Sequence, residues 1–209
     1  TMKAYLDHVN SKGGINGKPV RLIILDDQAQ PSRAATNAKK LVDQDKVLLL
    51  VNNSLSSTYA PMVAESKRAN VPLFYAGGVC PPETYPPADP LQFCSTAYSA
   101  NLDSEAMLDF IKNSAKGPVR IGFAGMAIPL VRTGIEHAEK TAAKLGFTAT
   151  GTQYTPPPAP DYTPFATKLK EGNPNWVLTW SPWLSEVRTL ESMRRIGWGV
   201  PTEYFHKVF

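Results

Sequence analysis

Residues 119–154 read VRIGFAGMAIPLVRTGIEHAEKTAAKLGFTATGTQY, and the fold class follows from how this stretch is parsed. Val119 to Ala124 has the composition of a buried strand. Val131, Ile135, Ala138, Ala142 and Leu145 then recur at the 3-then-4 spacing of one helix face, with Gly146 where a C-terminal cap belongs. Phe147 to Tyr154 returns to a strand pattern. Strand, helix and strand in close succession make a βαβ unit, whose two strands lie parallel because the helix has to cross back over the sheet.

The same alternation extends in both directions. Upstream, Met2, Tyr5, Leu6 and Val9 lie on one helix face that Gly13-Gly14 ends. Val20 to Leu25 is a nearly continuous apolar run expected to form a buried parallel strand that stops at Asp26-Asp27. Pro31 suits a first helical position, and Ala34, Ala38, Leu41 and Val42 continue that helix. Strands are expected at Val47–Val51 and Val71–Tyr75, with a helix through Tyr59, Met62, Val63 and Ser66 between them and another near 101–115 before the central unit. Downstream, a short helix over 163–171, a strand at Trp176–Trp180, a helix over 184–196 and a possible strand at Pro201–Phe205 complete the pattern. The sequence therefore predicts an α/β protein of two lobes, each a doubly wound, mainly parallel sheet flanked by helices. Lobe boundaries are expected at 1–96 and 97–209, with a hinge near 95–100. A doubly wound lobe normally opens on a strand, so an N-terminal strand and a C-terminal part are expected outside these 209 residues.

The composition narrows the classes. Hydrophobic residues are 43% and charged residues 19%, so the chain can bury a core. The formal charge is +4, without basic runs or an aromatic-glycine RNA-binding pattern, and no nucleic-acid partner is expected. No apolar run approaches the roughly 20 residues that span a bilayer. Of 19 prolines, five fall in 81–90 and five in 156–164, so two loops are stiffened. Cys80 and Cys94 bracket the first proline loop. A disulfide closing a loop of ~15 residues would contribute about 3 kcal/mol and imply an oxidising compartment; two free thiols packed as small apolar groups are the alternative.

In open α/β sheets ligands bind beyond the carboxyl ends of the strands, which makes the loops after each strand the candidates. In the first half these hold small polar groups. Ser56, Ser57 and Thr58 begin a helix, where hydroxyls and free N–H groups favour an anion such as a carboxylate, even if one of them also caps the helix. In the second half the loops are apolar and aromatic: Met126, Ile128 and Pro129 after one strand, Trp180, Pro182 and Trp183 after another, with Trp180 read mainly as core. A ligand with a charged head and an apolar body suits both faces. Asp26-Asp27 reads as turn-forming carboxylates, and His8 and His137 as solvated residues. The sequence holds no nucleophile elbow, zinc-protease motif or phosphate loop, and no catalytic, metal or cofactor residues are expected.

From Asn10 the order Gly13-Gly14-Ile15-Asn16-Gly17-Lys18, Val20–Leu25, Asp26-Asp27, Ala38-x-x-Leu41-Val42 and Asp45-Lys46-Val47 resembles the periplasmic solute-binding proteins of the branched-chain amino acid (Leu/Ile/Val-binding) ABC transporter family, of type I periplasmic-binding fold. Leu55-Ser56-Ser57, Asn70-Val71-Pro72-Leu73, Gly77-Gly78, Tyr154, Asp161-Tyr162, Phe165 and Gly197 extend the likeness over almost all of the chain. The resemblance implies a monomeric, non-enzymatic, periplasmic or otherwise extracytoplasmic protein that closes on a small carboxylate-bearing ligand and delivers it to a membrane permease. It implies ligand contacts from Ser56, Ser57, Gly77 and Val79 in the first lobe and from Trp183 in the second; together with the strand-end loops the candidate ligand-binding residues are Asn53, Leu55, Ser56, Ser57, Gly77, Gly78, Val79, Met126, Ile128, Pro129 and Trp183. Where many members carry threonine and tyrosine this chain has Val79 and Pro129, which implies a ligand with a larger or aromatic body, or one without an amino group. A sensory ligand-binding domain of the same fold is the alternative.

Overall fold

The computed structural model describes residues 2–77, 79–96, 99–157 and 159–199, with Trp183 described by its backbone alone. Gly78, the possible strand at Pro201–Phe205 and the side chain of Trp183 lie outside the described residues.

The quoted stretch folds as expected: β4 (Arg120–Met126), α5 (Pro129–Lys144) and β5 (Thr148–Thr155). All of β4 except Arg120 is buried because β5 and β6 (Trp176–Trp180) flank it in parallel in the order β5-β4-β6. Side chains alternate across β6. Trp176, Leu178 and Trp180 pack with Val131, Ile135, Ala138 and Ala142 of α5 and with α4 (Ala100–Ser114), whereas Val177 packs on the opposite face with Ala166 of α6 (Thr163–Glu171) and Met193 of α7 (Trp183–Arg195). A central strand covered on both sides has to be free of charged and polar side chains where it is buried, and β4 is so from Ile121 to Met126. Gly146 adopts φ +77°, the left-handed conformation that a C-terminal cap requires of it.

The first half holds a separate parallel sheet, β1 (Leu50–Asn52), β2 (Leu73–Tyr75) and β3 (Gln92–Cys94), in that order. Its strands are shorter than the apolar runs suggest, and β3, beyond the proline loop, has no sequence signal because only Phe93 in it is strongly β-prone and apolar. Helices α2 (Pro31–Asp43) and α3 (Tyr59–Ala69) bury Ala34, Ala38, Val42, Tyr59 and Met62 against Leu50, Leu73 and Tyr75. Helix α1 (Met2–Ser11) buries none of its residues.

Val20–Leu25 is corrected by the structure: no strand forms there, and Ile24 is 74% exposed. The Asn10 amide clamps the start of the segment, donating to the Val20 carbonyl at 2.8 Å and accepting its N–H at 2.7 Å. Beyond that point a cavity of about 480 Å³ is lined by residues 22–26 on one side and 51–53 on the other, and the segment meets the turn after β1 where Asp27 accepts the Ser54 hydroxyl. A strand is defined by ladder hydrogen bonds to a neighbour, and β1 lies across that cavity rather than alongside, so hydrophobicity alone does not produce one here.

Cys80 and Cys94 form a disulfide, with Cα atoms 5.7 Å apart, and so tie the proline loop to the end of β3.

Candidate ligand-binding site

A cavity of about 560 Å³ lies between the carboxyl ends of the two sheets. Asn53, Ser54, Leu55 and Ser56 from the turn after β1, Tyr59 from α3, and Gly77 and Val79 after β2 form one wall. The opposite wall is Ile128, Leu130 and Val131 at the start of α5 and Trp180, Ser181 and Pro182 at the end of β6.

The first wall is built around Asn52, which is buried. Its amide donates to Thr58 Oγ1 at 3.1 Å and to Met62 Sδ at 2.9 Å, and its Oδ1 accepts the Ser54 N–H at 2.9 Å. This geometry folds the turn that aims Leu55 and Ser56 at the cavity, and it hides the one asparagine of an Asn-x-Ser pattern from solvent. The loop at 26–29 braces the turn from behind. Asp26 and Asp27 accept the Gln28 and Ala29 N–H groups as turn-forming residues, and Asp27 also takes the Ser54 hydroxyl at 2.9 Å. The Tyr59 hydroxyl donates to the Val79 carbonyl at 3.3 Å; burial pushes its pKa up to about 12, so it stays a protonated donor.

On the second wall, the Ser181 hydroxyl accepts the Met126 N–H at 2.7 Å while the Ser181 N–H donates to Glu186 Oε1 at 3.0 Å, which joins the ends of β4 and β6 to the first turn of α7. A Cβ on Gly125 would stand 2.5 Å from Val131 Cγ1, so the close seating of α5 on β4 needs a glycine there.

Of the residues proposed from sequence, Asn53, Leu55, Ser56, Gly77, Val79 and Ile128 stand on the cavity wall. Ser57 instead donates to the Ala29 carbonyl at 3.4 Å, Met126 is buried in the second-half core, and Pro129 is an exposed first residue of α5. Gly78 and the side chain of Trp183 lie outside the described residues. Sequence reasoning missed Tyr59, Leu130 and Val131 and placed Ser54 and Ser181 only as members of candidate loops; Trp180, read mainly as core, is buried in the second-half core and also borders the cavity. Tyr59 and Val131 belong to helical stripes, where periodicity reports burial and is blind to whether the burial is against protein or cavity.

Among the described wall residues the only titratable side chain is Tyr59; the rest are hydroxyls, an amide and apolar groups. Such a wall binds by hydrogen bonding and apolar contact. No group of three or more His, Cys, Asp or Glu placed to hold a metal occurs among the described residues, and no described helix is long and apolar enough to cross a membrane.

Two parallel sheets with a cavity between their carboxyl ends define a two-lobed α/β binding fold. The chain belongs to the periplasmic binding protein family, whose model matches residues 1–201. It is similar in structure to a solute-binding protein of an ABC transporter from R. palustris in complex with 4-hydroxybenzoate (TM-score 0.78, 15% identity, 93% of this chain and 53% of that one). It is likewise similar to a branched-chain amino acid transporter substrate-binding protein from Streptococcus pneumoniae in complex with isoleucine (TM-score 0.78, 20% identity, 94% and 55%). An amino acid binding protein of Pseudomonas aeruginosa is 40% identical over 55 residues, 26% of this chain and 15% of that protein. The chain thus spans about half the length of these solved relatives.

Proposed function

We propose that this chain is the ligand-capturing body of an extracytoplasmic solute-binding protein. It takes a small carboxylate-bearing molecule, an amino acid or a related aliphatic or aromatic acid, between lobes 1–96 and 97–209 that turn about a hinge near 95–100, and passes it unchanged to the permease of an ABC transporter. The observation that carries this reading is a cavity walled by both halves at the carboxyl ends of the strands: hydroxyls and the start of a helix on one side suit a carboxylate, and Ile128, Val131 and Trp180 on the other suit an apolar body. The relatives with isoleucine and with 4-hydroxybenzoate support it, since each carries a carboxylate on an apolar frame. The Cys80–Cys94 disulfide agrees with an oxidising compartment.

Titration calorimetry with isoleucine, phenylalanine, 3-phenylpropionate and 4-hydroxybenzoate tests it. Saturable binding of at least one acid, lost when its carboxylate is replaced by an amide, is the expected result. Equal binding of acid and amide would remove the carboxylate from the recognition.

A further inference from the structure

Helix α5 begins without a cap of its own. Its N-cap residue is Ile128, whose side chain makes no capping hydrogen bond, and Pro129 at the first position has no N–H. The first intrahelical bond is Arg132 N–H to the Ile128 carbonyl at 3.0 Å, so the Leu130 N–H is one of the orphan donors that every helix start leaves. Its partner comes from the other half of the molecule: Leu130 N–H donates to the Ser56 hydroxyl oxygen at 3.3 Å, across 74 residues of sequence.

The contact is reinforced from both sides. Leu55, next to Ser56, packs against the hydrophobic cluster of the second half, and Val79 is itself a buried member of that cluster. Leu130 in return packs against the cluster of α2, α3, β1 and β2. Two leucines thus cross over beside one hydrogen bond, at the rim of the 560 Å³ cavity that all four residues line.

We propose that Ser56 is the positioning residue of lobe closure, capping α5 from the opposite lobe, so that the two halves close only when Ser56 and Leu130 meet. With its oxygen accepting from Leu130, Ser56 still has its hydroxyl proton to donate to an acceptor in the cavity, so in the closed form one hydroxyl can engage both the helix start and the ligand. The inference rests on the proposed reading of two lobes that close on an acid.

The test needs no ligand in its first arm. Leu130 has no intrahelical acceptor, so protection of its amide against hydrogen exchange in the 209-residue chain that is lost in Ser56→Ala reports the cap; an amide exchanging at the rate of an unprotected one, or protection unchanged in Ser56→Ala, overturns the proposal. In the second arm, spin labels on the exposed positions Lys39→Cys and Lys144→Cys report the distance between halves. Ser56→Ala is expected to shift that distribution to longer distances and Ser56→Thr to restore it, while Thr133→Ala, which removes a hydroxyl bonded within α5, leaves it in place. An unchanged distribution in Ser56→Ala overturns the proposal. For whichever of 4-hydroxybenzoate or isoleucine the parent binds, Ser56→Ala is expected to weaken affinity by roughly tenfold. A shifted distribution in a protein that binds neither acid upholds the closure role and removes the ligand reading instead.

Discussion

Gly77 and Asn53 stand so close that a Cβ on Gly77 would lie 2.5 Å from Asn53 Oδ1. Both residues follow paired strands, β1 and β2, and both line the cavity, with the Asn53 amide exposed. Gly77→Ala would push that amide aside. Because Asn53 is exposed and its side chain can rotate, the cost in stability should stay within about 1 kcal/mol, while affinity for a bound acid falls severalfold. Melting temperature and calorimetric affinity measured on the same variant separate the two effects.

Gly125 has no such freedom around it. Its added Cβ would meet Val131 Cγ1 at 2.5 Å and the Trp180 carbonyl at 3.2 Å, both in the packed core between β4 and α5. Gly125→Ala should therefore destabilise the fold by roughly 1–3 kcal/mol, the usual cost of overpacking, as read from urea unfolding. Since Val131 and Trp180 also line the cavity, ligand affinity should fall in the same variant.

Reduction of the Cys80–Cys94 bond should lower stability by about 3 kcal/mol on the loop-entropy account. Thermal unfolding with and without a thiol reductant measures this, and the double variant Cys80→Ser with Cys94→Ser should be insensitive to the reductant. Equal melting of the parent in both buffers would contradict it.

Lys67 of α3 reaches Asp89 of the proline loop at 2.8 Å. The Lys67 hydrogen bond, helped by the Leu91 N–H, holds the Asp89 carboxyl below the usual carboxylate range, and the same bond raises Lys67. A depressed carboxylate contributes stability that is complete above its unfolded pKa, about 3.9, and is lost as pH falls through the lower folded value. A raised lysine contributes below its unfolded pKa of about 10.4 and loses that contribution as pH rises through its folded value. Carboxyl carbon NMR should show Asp89 titrating below the usual range, and Lys67→Ala should return it upward.

The regular elements were legible wherever periodicity and burial agree. The stripe of α5 named four residues that are buried, and the placement of Ile128, Gly77 and Val79 followed from the rule that ligands sit beyond strand ends. Val20–Leu25 shows where the reading fails, because an apolar run states a preference for burial and carries no information about which backbone lies beside it. Leu130 shows the same limit at the site: it looks like one more helix residue, and it became a wall residue through Ser56.

By itself, then, the sequence determined the helices, the strands β1, β2, β4, β5 and β6, the parallel βαβ units and the loops on which a site would lie, because those depend on side-chain patterning along a continuous stretch of chain. The tertiary structure decided which residues share a cavity, that the apolar run after Gly17 stays unpaired, and that α5 is capped from the other half. Each of these depends on a contact between segments far apart in sequence, where the geometry of packing chooses the partner and no local propensity records it.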